Sequence, residues 1–335
     1  MEKIVLITDP NNDPDDLVSF VGLANFINEE KAHLKAVIAT YGDKEIRLKR
    51  AKFAKGAFLS LGINAPVAVG VEYPRYNGIK GNGYYEEEGA SKLEEIGQEI
   101  ELSSQDLLKR VYEKAEVGSL TVLVNAIMPD LEVFIENDFE LFIAKTKKIV
   151  VMGGYELDED DVLPAINSHN LIQCYEAAWT VFETAIDNMI PLILVPKETI
   201  YEVSVDGRKY FDVLKDYNNP IAQNLSASYK MFVYRIWDSV SRGKNQHFTL
   251  ERFNQVFVAE GDEVLATDDV KIVFEKVRKI NLYDLVSVLA CFENYWENLG
   301  SFEQVSSGVF EAKITKKKEF VEELYLLMDL IKKEH

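Results

Sequence analysis

The sequence predicts an α/β fold, a mainly parallel open sheet with helices on both faces, and three observations carry that prediction. Residues 4–7 form a continuous apolar run, the mark of a strand buried on both sides. A helix signal follows at once: Asp13, then Pro14, then the acids Asp15 and Asp16 in a first turn, with Leu17, Phe20, Val21, Ala24 and Ile27 at helical spacing. The same alternation of apolar run and amphipathic stretch then repeats down the chain, as strands joined by crossover helices require.

The elements follow in order. Residues 34–39 read as the second strand, 45–61 as a basic amphipathic helix and 65–69 as the third strand. Residues 120–124 read as a strand and 129–137 as a helix; 149–152 is a strand ending in Gly153-Gly154. A helix over 175–187, a strand over 191–195 and a terminal amphipathic helix over 316–333 complete the pattern. Two stretches break it. Residues 73–89, rich in Gly and Tyr, read as an aromatic lid, and 223–245 reads as a helical insert carrying Tyr229, Tyr234 and Trp237. No internal repeat or linker divides the 335 residues, so a single domain is expected.

Composition narrows the function. With 47 % apolar and 28 % charged residues the chain has the balance of a folded globular protein. A formal charge of −19 repels phosphate backbones, so no nucleic-acid polymer is expected as partner, whereas a neutral small molecule or a bound cation is compatible. Cys174 and Cys291 are the only cysteines, too few for a disulfide framework or a thiolate metal site. No run approaches the roughly 18 apolar residues of a membrane span, and residues 4–7 are too short a run for a secretory signal. These features lead to the expectation of a cytoplasmic protein that engages no membrane.

Asp9, Asp13, Asp15 and Asp16 fall at the end of the first strand and the start of the next helix. Like charges this close repel, and a helix N-terminus offsets only one or two of them. A bound cation offsets the rest. Oxygen-only donors with no His or Cys nearby favour Ca²⁺ or Mg²⁺ over zinc. The alternative is a solvated helix cap, the expected role of Asp13. The spacing excludes an EF-hand, and the charge and the lack of a Gly-Lys run exclude a phosphate-binding loop. A phosphatase with Asp9 as nucleophile lacks a recognisable Lys or Arg partner.

Four segments in order resemble the nucleoside hydrolase family. The first is Ile4-Val5-Leu6-Ile7-Thr8-Asp9-Pro10 with Asp15-Asp16. The second is residues 120–130, similar to the family strand whose end gives a backbone carbonyl to calcium, with Ala126 at the matching position. The third is residues 148–154 (Met152-Gly153-Gly154) with Asn170. The fourth is residues 282–290, where Asp284 matches the last metal ligand. The resemblance implies calcium-dependent hydrolysis of the N-glycosidic bond of a ribonucleoside. Asp9, a bidentate Asp16, Asp284 and the Ala126 carbonyl would hold Ca²⁺, with Asp9 also the general base. Asp15, Asp43, Ser168 and Asn170 would face the ribose. Candidates to meet the departing base are Tyr283 and, by stacking or a relayed proton, Tyr229, Tyr234 and Trp237; for the aromatic run 223–245, which also carries Phe232, helix packing is an equal alternative. It also implies a possible homodimer or homotetramer.

The chain departs from the family pattern in places. The loop between Asp9 and Asp16 is two residues longer than usual, so ungapped counting back from Asp16 puts Asn11 in the base position. Tyr283 replaces the His that protonates the leaving base in many members, and Tyr is a far weaker acid, with a pKa of about 10. His169, beside Ser168, has two readings, a polar neighbour of the site or a packed core residue, and packing is the expectation. The rival reading is a nucleoside- or ribose-binding protein with impaired turnover.

Overall fold

The computed structural model describes residues 1–11, 13–73, 89–159, 161–207, 214, 216–244 and 248–332. In chain order the strands are β1 (Glu2–Thr8), β2 (Ala32–Ala39), β3 (Val67–Val69), β4 (Leu120–Val124), β5 (Thr146–Met152), β6 (Tyr155–Asp158), β7 (Asp161–Pro164), β8 (Leu192–Val195), β9 (Val205–Asp206), β10 (Lys279–Ile280), β11 (Gly300–Ser306) and β12 (Val309–Ile314). Eight of them form one sheet in the order β11-β12-β8-β5-β4-β1-β2-β3, while β6/β7 and β9/β10 are separate antiparallel pairs. Every pairing in the large sheet is parallel except β11 with β12 at one edge. The predicted fold class is the observed one.

Alternation along β1 splits the core in two. Ile4 and Leu6 join the larger apolar cluster with Phe20, Phe53 and Leu285; Val5 and Ile7 join the other with Phe134, Val181 and Leu194. A strand buried on both faces needs an unbroken apolar run, and that is what residues 4–7 supply.

Topology places the site. From β1 the chain runs to β2 and β3 on one side, and β4, β5 and β8 are laid down on the other. The connections leaving the carboxyl ends of β1 and β4 therefore diverge, opening the crevice where open α/β sheets bind ligands. The helices Asp15–Asn28 and Tyr283–Ala290 pack together over this point. A Cβ on Gly22 would collide with the Leu285 side chain, so the glycine permits the close approach that brings Asp284 to the N-terminal aspartates.

Several boundaries differ from expectation: β1, β2 and β5 begin two or three residues earlier than the apolar runs suggest, and three others shift as follows. β3 begins at Val67, because Pro66 has no N–H to donate; its carbonyl still accepts from the Val37 N–H (2.9 Å). The helix expected over 129–137 continues to Lys145 past a break at Asp138 (φ −134°), which interrupts the apolar period. The terminal helix ends at Met328 and a 3₁₀ turn, Asp329–Lys332, follows. The run 223–245 lies largely within the helix Pro220–Ser241, capped by the Asn219 side chain. Of the expected lid, residues 74–88 fall outside the described residues. No helix among the described residues is long and apolar enough to cross a membrane.

Candidate active site

A cavity of about 510 Å³ opens at the switch point, lined by Asp9, Asp13, Asp15, Asp16, Asn125, Ser168, Asn170, Tyr283 and Asp284 among others. Each arrives on a framework element. Asp9 follows the last residue of β1, and Asn125 follows the last residue of β4. Asp15 and Asp16 open one helix, and Asp284 sits in the first turn of another.

The carboxylates are held by donors around them. Asp16 Oδ1 accepts from the Thr8 hydroxyl and from the Asp9 N–H (3.2 Å). Asp15 accepts from the Asp284 N–H (3.3 Å), tying the two helix starts together. Asp13, expected as the N-cap, lies one residue before it, since Pro14 holds that position; the Asp13 side chain accepts from the Asp15 N–H (3.1 Å) and also lines the cavity. Arg50, wholly buried, donates to the carbonyls of Asp9 and Pro10 and lies 3.9 Å from Asp9 Oδ2. Its guanidinium also covers the ring of Tyr41, whose backbone is left-handed (φ 66°).

Among the described residues Arg50, with Arg235 acting on Asp13 and Lys197 at the rim, does not balance five acids. Burial, the Asp16 charge and the Asp13 charge push the Asp9 carboxyl well above the usual range, against the pull of Arg50. Burial with Asp13 and Asp16 raises Asp15, and burial with Asp15, Asp16, Asp13 and Asp9 raises Asp284. Burial and Asp13 bring Asp16 up to about 7. Among the described residues no three His, Cys, Asp or Glu side chains already stand in a metal-holding arrangement. The donor set nevertheless fits a hard divalent cation: it is all oxygen and carries more negative charge than its surroundings neutralise.

Around the carboxylates stand polar groups with free capacity. Asn125 is buried; its Oδ1 accepts from Ser287 Oγ (2.6 Å), its carbonyl accepts from Asn170 Nδ2 (2.9 Å), and its own Nδ2 has no partner among the described residues. Lys197 lines the rim and donates to the Asn167 carbonyl (3.0 Å). The rest of the lining includes an apolar and aromatic set, the aromatic half by composition: Met152, Tyr201, Phe232, Ile236 and Tyr283. Burial and the neighbouring Tyr201 hold the Tyr283 phenol far above its ordinary pKa.

The structure brings together Asp9, Asp15, Asp16, Ser168, Asn170, Tyr283 and Asp284. Asp9 lines the cavity, whereas Asn11 is buried away from it and accepts from Asn224 Nδ2 (3.2 Å). Ala126 is buried one residue beyond Asn125. Four expected residues stand elsewhere. Asp43 caps the helix Lys44–Ser60 and lines a separate cavity of about 290 Å³ at the end of β2. Tyr229 is buried against Gly207, since the adjacent face of its helix turns to the core. Tyr234 lines another cavity, on the outer side of that helix, and Trp237 packs against the core. His169, expected to pack, is exposed and lines the active-site cavity. Sequence reasoning missed Thr8, Arg50, Asn125, Lys197, Tyr201 and Asn281. Lys197 and Tyr201 directly follow β8, so the rule that sites gather at the carboxyl ends of parallel strands flags that segment.

The chain has the nucleoside hydrolase-like α/β fold, as comparison with solved structures shows. It matches the effector protein XOO4466 over 99 % of this chain and 93 % of that one (TM-score 0.85, 22 % identity). It matches the type III effector protein XopQ, solved in complex with adenosine diphosphate ribose, over 98 % and 93 % (TM-score 0.82, 22 % identity). Against the purine-preferring ribonucleoside hydrolase of Gardnerella vaginalis the coverage is 99 % of both chains (TM-score 0.63, 13 % identity). No family model and no curated protein matches the sequence.

Proposed function

We propose that the chain hydrolyses the N-glycosidic bond of a ribonucleoside in a calcium-dependent reaction. The observation that carries this reading is the convergence of Asp9, Asp13, Asp15, Asp16 and Asp284 at the sheet's switch point, in a cavity of nucleoside size, with too little positive charge around them. Asp9, Asp16, Asp284 and the Ala126 carbonyl are the residues that would hold Ca²⁺. A cation bound there supplies the charge that acidifies a water and draws in the ribose hydroxyls.

The chain's own groups do the rest. Asp9 accepts the proton of the attacking water, and Arg50 fixes the backbone that carries it. Asp15 and Asn170, both in the cavity lining, accept from and donate to the sugar hydroxyls. Positive charge developing on the sugar meets carboxylates on one side, which lowers the transition state more than the neutral ground state. The departing base leaves toward the aromatic part of the lining, where Tyr201 and Tyr283 stand together.

A second reading follows from Tyr283: a phenol with so high a pKa is a poor proton donor, so the site would bind a ribosyl ligand without rapid turnover. The adenosine diphosphate ribose bound by XopQ is a candidate of that class. One experiment separates the readings. Nucleosides and adenosine diphosphate ribose are incubated with the protein and Ca²⁺, and free base, reducing sugar and bound ligand are measured. Base and ribose released, and suppressed by chelation, are expected; binding without release selects the second reading, and no binding at all rejects both.

A further inference from the structure

The loop that carries the N-terminal aspartates is held from three sides. Arg50, on the helix Lys44–Ser60, donates to the carbonyls of Asp9 and Pro10. The Asp284 N–H donates to Asp15 at the far end of the loop (3.3 Å). Between these two stands Asn11, whose Oδ1 accepts from Asn224 Nδ2 (3.2 Å). Asn224 belongs to the helix Pro220–Ser241. Both asparagines are buried, and neither lines the active-site cavity.

The first two clamps involve charged residues. The third joins two neutral amides, so it acts on the shape of the loop and not on its charge. That shape needs holding. Asn11 has a left-handed backbone (φ 72°), which asparagine tolerates but does not prefer. Asp9 lies on one side of it and Asp13, Asp15 and Asp16 on the other, and their charges repel. Such repulsion favours an opened loop, and a buried hydrogen bond to a packed helix opposes it. Asn224 is itself firmly seated: a Cβ on Gly89 would collide with the Pro220 carbonyl and the Asn224 backbone N, so the chain packs tightly on the start of this helix. Further along, the same helix brings Phe232 and Ile236 to the cavity.

We propose that Asn224 is a positioning residue of the cation site: through Asn11 it holds the loop in the turn that presents Asp9 and Asp16 to one shared cation, so that cation affinity depends on a helix that supplies no ligand. The carboxylates are then ordered on folding rather than on binding. This inference rests on the calcium-dependent reading of the site.

The test is a double-mutant cycle on Ca²⁺ affinity, read by calorimetry on the full chain, with Tm in the absence of Ca²⁺ measured alongside. Asn11→Gly removes the acceptor and keeps the left-handed turn; Asn224→Leu removes the donor at similar volume. Each should weaken Ca²⁺ binding about fivefold, the effect of one buried hydrogen bond. The double variant should bind no more weakly than the weaker single one, because both changes remove the same bond. Neither substitution alters a charge, so such a loss reports geometry. If Asn224→Leu does not fold, Asn224→Ala takes its place in the cycle. Single variants that bind Ca²⁺ as tightly as the unmodified chain, whatever their Tm, overturn the role of Asn224 and leave the calcium reading standing. So does a double variant weakened by the product of the two single effects, about 25-fold. An unmodified chain that binds no Ca²⁺ overturns the calcium reading, and this inference with it.

Discussion

The two halves of the cavity are built in opposite ways. In the carboxylate half, four of the five acids come from residues 9–16, and the fifth is brought in by a helix that Gly22 allows close. Its groups repel one another and are held by Thr8, Arg50 and backbone N–H donors. In the aromatic half, the side chains come from β5, from the segment after β8, from the helix Pro220–Ser241 and from the segment after β10. That half is mostly apolar, with the polar groups of Lys197, Glu198, Tyr201 and Tyr283 among its lining. The first half is a set of like charges that a cation would offset. The second is mainly a shape, and the identity of a ligand would rest on it.

The sharpest way to break the comparison is to remove a carboxylate that a cation needs. Asp16→Ala should abolish Ca²⁺ binding by calorimetry, and base release with it. In the unmodified chain Ca²⁺ at 100 times its dissociation constant should add about 2.7 kcal/mol of stability, read as a rise in Tm; the variant should show no rise. Unchanged calcium affinity would sink the charge account of this half.

Asp9→Asn keeps the shape of the loop and removes the proton acceptor. The variant should fold, and kcat should fall by about 10²–10⁴-fold, the usual contribution of a general base. Full activity would assign the proton to another group.

Arg50 tests how the half holds together without a cation. It is wholly buried, caps the carbonyls of Asp9 and Pro10, and offsets part of the aspartate charge. Arg50→Met leaves those carbonyls unmet and the acids more exposed to one another, so unfolding in urea should show a loss of about 3–5 kcal/mol. Added Ca²⁺ should recover part of it. A loss below about 1 kcal/mol would mean that the aspartates do not depend on the arginine.

Much of the carboxylate half was legible in the sequence because its signals are local. An apolar run dates the strand, Asp13-Pro14 dates the helix start, and chain order alone puts Asp9, Asp15 and Asp16 at a strand end. Asp284 needed the family resemblance, since nothing local ties it to residues 9–16. Arg50 was invisible for a physical reason: on a basic amphipathic helix, a buried arginine and a solvated one look the same until a partner is known. The aromatic half misled for a related reason. Tyr229, Tyr234 and Trp237 lie on one helix, and which face meets the cavity depends on how that helix is rotated against the helices it packs on, among them Leu250–Phe257 and Ala90–Ile96. The structure turns Phe232 and Ile236 to the cavity instead.

That rotation supplies the smallest expected effect, which sharpens the comparison from the other side. Tyr234 is partly exposed and lines a separate cavity with Gln223, Lys230, Met231 and Phe274. Phe232, two positions earlier, lines the active-site cavity and stacks edge to face on Phe257 at 5.9 Å. Tyr234→Ala should therefore leave nucleoside affinity unchanged and stability within about 0.5 kcal/mol, as for a surface substitution. Phe232→Ala should weaken nucleoside affinity several-fold while leaving Ca²⁺ affinity alone, because it removes a wall of the aromatic half and touches none of the carboxylates. Calorimetry on the two variants reads both quantities. A loss of nucleoside affinity in Tyr234→Ala, with Phe232→Ala unaffected, would mean that the opposite face of the helix meets the ligand.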